Sequence, residues 1–246
     1  MSPPLAVVAL AVGLCIGSYA GTTAVRAAQG ESALTGRSRC DGCGLSLGLL
    51  RTVPVVSFVS LGGRCGACGA RIDPFHVVSE VLGGALLAVP VLLFPLGRGL
   101  ILAALGEILL ASALVDFKTL RLPDALTLAA AAVGVGLAWL QGLDRLLLGL
   151  ACGAIAFVVL EGARRTFAAL RGRSGLGFGD VKLTAALAIW LGPLTVWALV
   201  LACAAGLVQF VLTRPGNGKI AFGPAIAASA FGLGLIQETL QWPSLS

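Results

Sequence analysis

Two aspartates and four cysteines are the residues here whose type and spacing could do chemistry. Asp116 ends an apolar run in Leu114-Val115-Asp116-Phe117-Lys118, and Asp180 opens another in Gly177-Phe178-Gly179-Asp180-Val181-Lys182. Two carboxylates brought into contact cannot both ionise easily and so share one proton. The ionised partner can then draw a proton from water while the protonated one polarises a peptide carbonyl, and the pair together sets the pH profile. Gly177 and Gly179 suit an unusual backbone or the close approach of an extended substrate. A plainer reading stands beside this one. Asp180 is also a suitable helix N-cap, and Asp116 a boundary acid solvated at the headgroups beside Lys118. Lys182 is expected to face lipid phosphate or solvent, with Asp180 as the alternative partner. Pro123 and Asp124 read as a helix start, with Pro near the first position and an acid in the first turn.

Cys40-x-x-Cys43 and Cys65-x-x-Cys68 are separated by 21 residues, just beyond the usual four-cysteine zinc spacing. Both pairs sit in glycine-rich turns, Cys40-Asp41-Gly42-Cys43-Gly44 and Cys65-Gly66-Ala67-Cys68-Gly69. Four thiolates complete a tetrahedral zinc shell and leave no open position, so the expected metal is structural. Reduced thiols or a redox pair are the alternative. Cys15, Cys152 and Cys203 lie in apolar stretches.

The other ionisable groups are few. The single histidine, His76, lacks the partners of a catalytic triad and reads as structural. With one histidine no HExxH metalloprotease site can be built. Glu107 falls near the middle of the apolar run that ends at Asp116, either as a hydrogen-bonded structural acid or as a functional one.

The elements that must position these groups are membrane helices. Of 246 residues, 58% are hydrophobic and 11% charged, against about 25% charged in soluble domains. About eight apolar segments can be marked, near 5–25, 76–96, 99–116, 123–141, 145–163, 181–192, 194–213 and 220–240. The sixth and seventh are divided only by Gly192-Pro193, a tight turn or a kink in one long helix. No basic stretch precedes the first run, which reads as a retained helix.

With the N-terminus outside, fifteen of seventeen Lys and Arg residues fall on the cytoplasmic side, leaving Arg98 and Arg145 outside. Arg26, Arg37, Arg39, Arg51, Arg64 and Arg71 then share one inner loop. Asp116 and Asp180 come to the same leaflet. Basic residues scattered among apolar segments suit a membrane protein, and the net charge of +6 does not point to nucleic acid. The expected fold class is an all-α polytopic membrane protein of about eight transmembrane helices. A small cytoplasmic four-cysteine zinc-binding module lies between helices 1 and 2. The division is a first helix at 1–25, the cysteine module at 26–75, and a membrane-embedded domain at 76–246 that carries both aspartates.

The surroundings of the aspartates resemble the type IV prepilin peptidase family of GxGD membrane aspartic proteases. Asp116 followed by Pro123-Asp124 is similar to its first motif. Arg171-Gly172-Arg173-Ser174-Gly175-Leu176-Gly177-Phe178-Gly179-Asp180-Val181-Lys182-Leu183 is similar to its second, including the Lys. Ile220-Ala221-Phe222-Gly223-Pro224 resembles the IPFGP near the last helix. Gly17-Ser18-Tyr19, Arg26, the cysteine pairs and Val77-Val78-Ser79-Glu80 fall in the family's order.

The resemblance implies an aspartic endopeptidase of the bacterial inner membrane, with Asp116 and Asp180 catalytic. It would cut after a Gly in the leader of type IV prepilins or type II secretion pseudopilins, at the cytoplasmic face. Many members also methylate the new N-terminus with S-adenosylmethionine, an activity tied to the N-terminal module, where Glu80 is the candidate cofactor residue. Two departures stand out. Lys118 replaces a second Asp, and Gly21 replaces an Asn. The competing readings are a small proton-coupled carrier using Asp116 and Glu107, and a non-catalytic scaffold with a zinc module.

Overall fold

The computed structural model describes residues 3–32, 38–40, 42–48, 52–173, 175–216 and 218–241. Arg37, Asp41, Arg51 and Ser174, used in the sequence reading, lie outside them. Among the described residues the chain is helical, with two isolated antiparallel bridges and no strand. Each of the eight apolar segments appears as a helix, and a short ninth lies in the cysteine loop. Among the described residues, five helical stretches are long and apolar enough to cross a membrane. The chain divides into two compact units, Met1–Thr119 and Leu120–Ser246.

The first unit holds α1 (Pro3–Ala28), the short α2 (Val56–Ser60), α3 (Pro74–Leu93) and α4 (Leu96–Thr119). Apolar helices gain nothing from leaving apolar lipid, so close backbone approach must hold them together. A Cβ on Gly13 would lie 2.4 Å from the Gly83 carbonyl oxygen, and one on Gly17 would lie 2.2 Å from that of Ser79. Helices α1 and α3 therefore touch backbone to backbone. Helix α4 closes on both, through Leu110, Leu114 and Val115 against Ala20 and Ala24.

One end of this unit is tied by polar groups. Asp73 caps α3 by accepting the Phe75 N–H at 2.9 Å. Lys118, in the last turn of α4, lies 3.5 Å from the Asp73 carboxylate and 4.0 Å from the Phe75 ring centroid. Phe75 also stacks on Phe117 at 6.1 Å. The start of α3 thus fixes the end of α4 that carries Asp116.

The second unit holds α5 (Asp124–Leu140), α6 (Leu143–Arg171), α7 (Phe178–Leu191), α8 (Thr195–Thr213) and α9 (Gly223–Gln241). Helix α7 is central and packs on α5, α6 and α9. Glycines again set the spacing: a Cβ on Gly149 would stand 2.1 Å from the Ile189 carbonyl, and one on Gly234 2.0 Å from the Trp190 ring. At the C-terminal end of α7, the buried Glu238 accepts from Trp190 Nε1 and Gln141 Nε2, both at 2.9 Å.

Of the two readings of Gly192-Pro193, the turn is the one adopted: Gly192 has φ 59° and ends α7, and a 3-10 turn over Gly192–Leu194 leads into α8. One sequence expectation changes here. Helix α6 runs on to Arg171, eight residues past the expected end of its segment. Its 29 residues span about 44 Å, longer than the roughly 30 Å hydrocarbon core. It is thus long enough for its last turns, with Arg164 and Arg165, to extend past the hydrocarbon.

Asp73→Ala should lower stability by about 1 kcal/mol, since a lost cap outweighs an exposed ion pair. The Phe75 N–H, followed by Lys118, holds the Asp73 carboxyl below the ordinary aspartate range. Its contribution is therefore present above that range and is lost as pH falls through the lowered value. Thermal melts of both proteins in detergent should converge at acid pH.

Candidate active site and metal centre

The four cysteines converge. Their sulfurs all lie within 4.8 Å of one another, and Cys40 and Cys68 are 3.8 Å apart. Tetrahedral zinc with Zn–S bonds of about 2.3 Å requires S–S edges of about 3.8 Å, so the cluster fits that metal. The two knuckles are built alike. Gly44 and Gly69, with φ 70° and 71°, donate N–H groups to the carbonyls of Cys40 and Cys65 at 2.8 Å. Arg39 pairs with Ser46 and Arg64 with Arg71, each flanking its knuckle in the same register. Backbone hydrogen bonds from Cys68 and then Ala67, with the Cys40 side chain, pull the buried Cys65 thiol down to about 6.

Beside this cluster, still in the first unit, lies a cavity of about 170 Å³ lined by Ser18, Arg26, Arg71, His76 and Glu80 among others. Glu80 accepts from Ser18 Oγ at 2.8 Å and from the Val55 N–H at 2.7 Å. Val55 has φ 60°, costly for a β-branched residue, and the Glu80 bond helps hold it there. A Cβ on Gly21 would fall 2.3 Å from the Ser79 hydroxyl. A larger residue at 21 would therefore require Ser79 to move.

Asp116 is buried, 5% exposed, three residues before the end of α4. Asp180 is half-buried, the third residue of α7. The N-cap of α7 is Gly177, so Asp180 sits in the first turn and is not the cap. A Cβ on Gly177 would lie 2.7 Å from Asp180 Oδ2, and one on Gly179 2.9 Å from the Leu122 Cβ. Gly177 has ordinary extended angles, φ −69° and ψ 141°. A Cβ there would have to displace the Asp180 carboxylate, so the glycine leaves room for that group and is not required by the backbone conformation.

Lys182 pairs with Asp124, a partner the sequence did not suggest. It also lies 4.9 Å from the Phe178 ring centroid. Pro123 occupies the N-cap position of α5. The Pro-Asp of the first motif and the Lys of the second therefore meet within one unit. Glu107 is 8% exposed, and neither of its oxygens has a hydrogen-bond partner.

Comparison with known proteins agrees with the motif reading. Residues 11–94 match the bacterial peptidase A24 N-terminal domain, and residues 100–211 match the type IV leader peptidase family. A type 4 prepilin-like proteins leader peptide-processing enzyme of Escherichia coli O78:H11 is 32% identical over 198 residues, covering 78% of this chain and 72% of its own.

The chain belongs to the type IV leader peptidase family.

Two further relatives are named prepilin leader peptidase/N-methyltransferase. That of Burkholderia pseudomallei is 38% identical over 200 residues, or 78% of this chain, and that of Neisseria gonorrhoeae 32% over 206, or 79%. The match spans 64% of the Burkholderia protein's length and 69% of the Neisseria protein's. No solved structure matches the chain. Both aspartates, Asp124 and Lys182 fall in the leader peptidase match, and the cysteines and Glu80 in the N-terminal one.

Sequence reasoning missed one group at the α6–α7 junction of this family member. Glu161 holds Arg164 and Arg165, and Arg164 lies over Phe178. The i,i+3 and i,i+4 spacing on a helix was the available signal.

Purified chain should carry close to one equivalent of zinc by elemental analysis. Cys65→Ser should lose most of it and render the 40–68 loop protease-sensitive. Full retention of zinc would exclude the cluster as its site.

Proposed function

We propose that the chain is a membrane aspartic endopeptidase that removes the leader of type IV prepilins or type II secretion pseudopilins at the cytoplasmic face of the bacterial inner membrane. Asp116 and Asp180 are its catalytic pair. The observation that carries this reading is the placement of Asp180, whose carboxylate occupies the room left by Gly177 in the first turn of α7. The distribution of basic residues supports an outer N-terminus and an inner face for both aspartates.

The chemistry needs two carboxyl groups that share one proton. The ionised one takes a proton from water as its oxygen attacks the scissile carbonyl, and the protonated one donates to the carbonyl oxygen. The tetrahedral intermediate then collapses as a proton passes from carboxyl to the leaving amide nitrogen, and the C–N bond breaks. Gly177 and Gly179 leave space beside Asp180. The Lys182–Asp124 pair, with Pro123 at the helix cap, fixes the start of α5 against the start of α7. The apolar helix of the prepilin would lie in the bilayer beside the membrane helices.

A second activity, N-methylation of the trimmed pilin, is favoured by the polar cavity at Glu80. S-adenosylmethionine would supply a methyl group there. Glu80 retains acceptor capacity beyond its two bonds, His76 and Ser18 add polar wall, and Arg26 and Arg71 offer charge for a carboxylate.

Co-expression with a prepilin tests the protease. Asp116→Asn and Asp180→Asn should insert normally and each reduce leader trimming at least 100-fold. Normal trimming by either variant would overturn the paired-aspartate mechanism. Calorimetry with S-adenosylmethionine tests the second activity: Glu80→Gln should weaken binding about tenfold while leader trimming continues. Absence of binding to the unmodified chain would remove methylation from the proposal.

A further inference from the structure

The turn carrying Asp180 is built largely of glycine. Gly172, Gly175, Gly177 and Gly179 lie within the eight residues before Asp180, and glycine leaves no side chain with which to anchor a backbone. Between Gly177 and Gly179 stands Phe178, whose ring lies beside Arg164 of α6 and Lys182 of α7.

That side chain is gripped by α6. Glu161 is buried, and its two oxygens accept from Arg164 Nε and Arg164 Nη2, both at 2.7 Å. The same carboxylate accepts from Arg165 Nε at 2.6 Å. A two-pronged pair fixes the plane of a guanidinium as well as its position. The Arg164 guanidinium carbon then stands 5.2 Å from the Phe178 ring centroid, within cation–π range. Phe157, four residues before Glu161 on α6, meets the same ring edge-on at 6.3 Å and 68°.

We infer that Glu161 and Arg164 are positioning residues, which hold Asp180 in its reactive place by locking Phe178. The inference rests on the reading of Asp180 as catalytic. Loosening Phe178 frees the Gly177–Gly179 backbone, and with it the carboxylate that lies over Gly177. Neither Glu161 nor Arg164 needs to touch substrate. Their loss should therefore act on the chemical step and leave substrate binding alone.

The test is a double-mutant cycle on the full chain in detergent, with a prepilin whose leader ends in Gly as substrate. Arg164→Gln and Phe178→Leu should each lower kcat about fivefold, the scale of one cation–π contact, with KM within about twofold. The double variant should be no worse than either single one. Glu161→Gln should behave as Arg164→Gln does, and add nothing to Phe178→Leu. Phe178→Tyr keeps the ring and should keep kcat.

Losses that multiply, a change confined to KM, or a harmless Phe178→Leu would overturn the inference. Thermal melts of the same preparations separate a local effect from a folding defect, because a global loss of stability would not cancel in the Phe178→Leu background. Asp180→Asn is run in parallel. Cleavage by that variant would overturn the catalytic reading and this inference together, whereas its inactivity beside multiplying 164 and 178 losses would overturn the inference alone.

Discussion

Hydrocarbon offers no hydrogen-bond partner, and this constraint governs every element of the chain. Backbone groups must be satisfied inside helices, and ionisable side chains are expensive away from helix ends or protein interiors. Asp116 lies in the last turn of α4 and Asp180 in the first turn of α7, the places where a carboxylate can be kept without being sealed in lipid. Because lipid is as apolar as leucine, the helices cohere by approaching closely. Gly13 against Gly83, Gly149 against Ile189 and Gly234 against Trp190 make that approach. Buried Glu161 and Glu238 are paired, whereas the oxygens of Glu107 accept no hydrogen bond.

The polar contacts near Asp180 matter for register more than for energy. Asp124 is 78% exposed in its pair with Lys182, so that pair contributes about 0–1 kcal/mol. Its effect is to set the first turn of α5 beside the first turn of α7. The contact of Gly179 with Leu122 works in the same direction, since no larger residue at 179 would let the two segments approach. The Pro-Asp of one motif and the Lys of the other are thus parts of a single local arrangement.

Much of this was legible in the sequence because membrane helices announce themselves by length and composition. The cysteine cluster was legible because its spacing and glycines prescribe a local geometry. The end of α6 was not, since Arg164 and Arg165 read as the close of an apolar run although the helix continues beyond them to Arg171. The partner of Lys182 was hidden because Asp124 is 58 residues away and only packing brings it near. At Gly177 the absent side chain leaves space for the Asp180 carboxylate, while the backbone angles are ones any residue adopts. The bond from Val55 to Glu80 depends on a left-handed residue that no local pattern specifies.

The boundary between the two family matches falls between residues 94 and 100, whereas the two compact units divide at Thr119. Helix α4 therefore belongs by sequence with the second half and by packing with the first, where Lys118 is tied to Asp73. The motif from Asp116 to Asp124 crosses the division, and Leu120 bends the chain there with φ 55°. Asp116 belongs to the first unit and Asp180 to the second, so each carboxylate has its own support. The polar tie at the head of α3 fixes one carboxylate's helix, and the grip of α6 on Phe178 fixes the other's. Mutations far from both aspartates should then act through these two supports before they act on the chemistry itself.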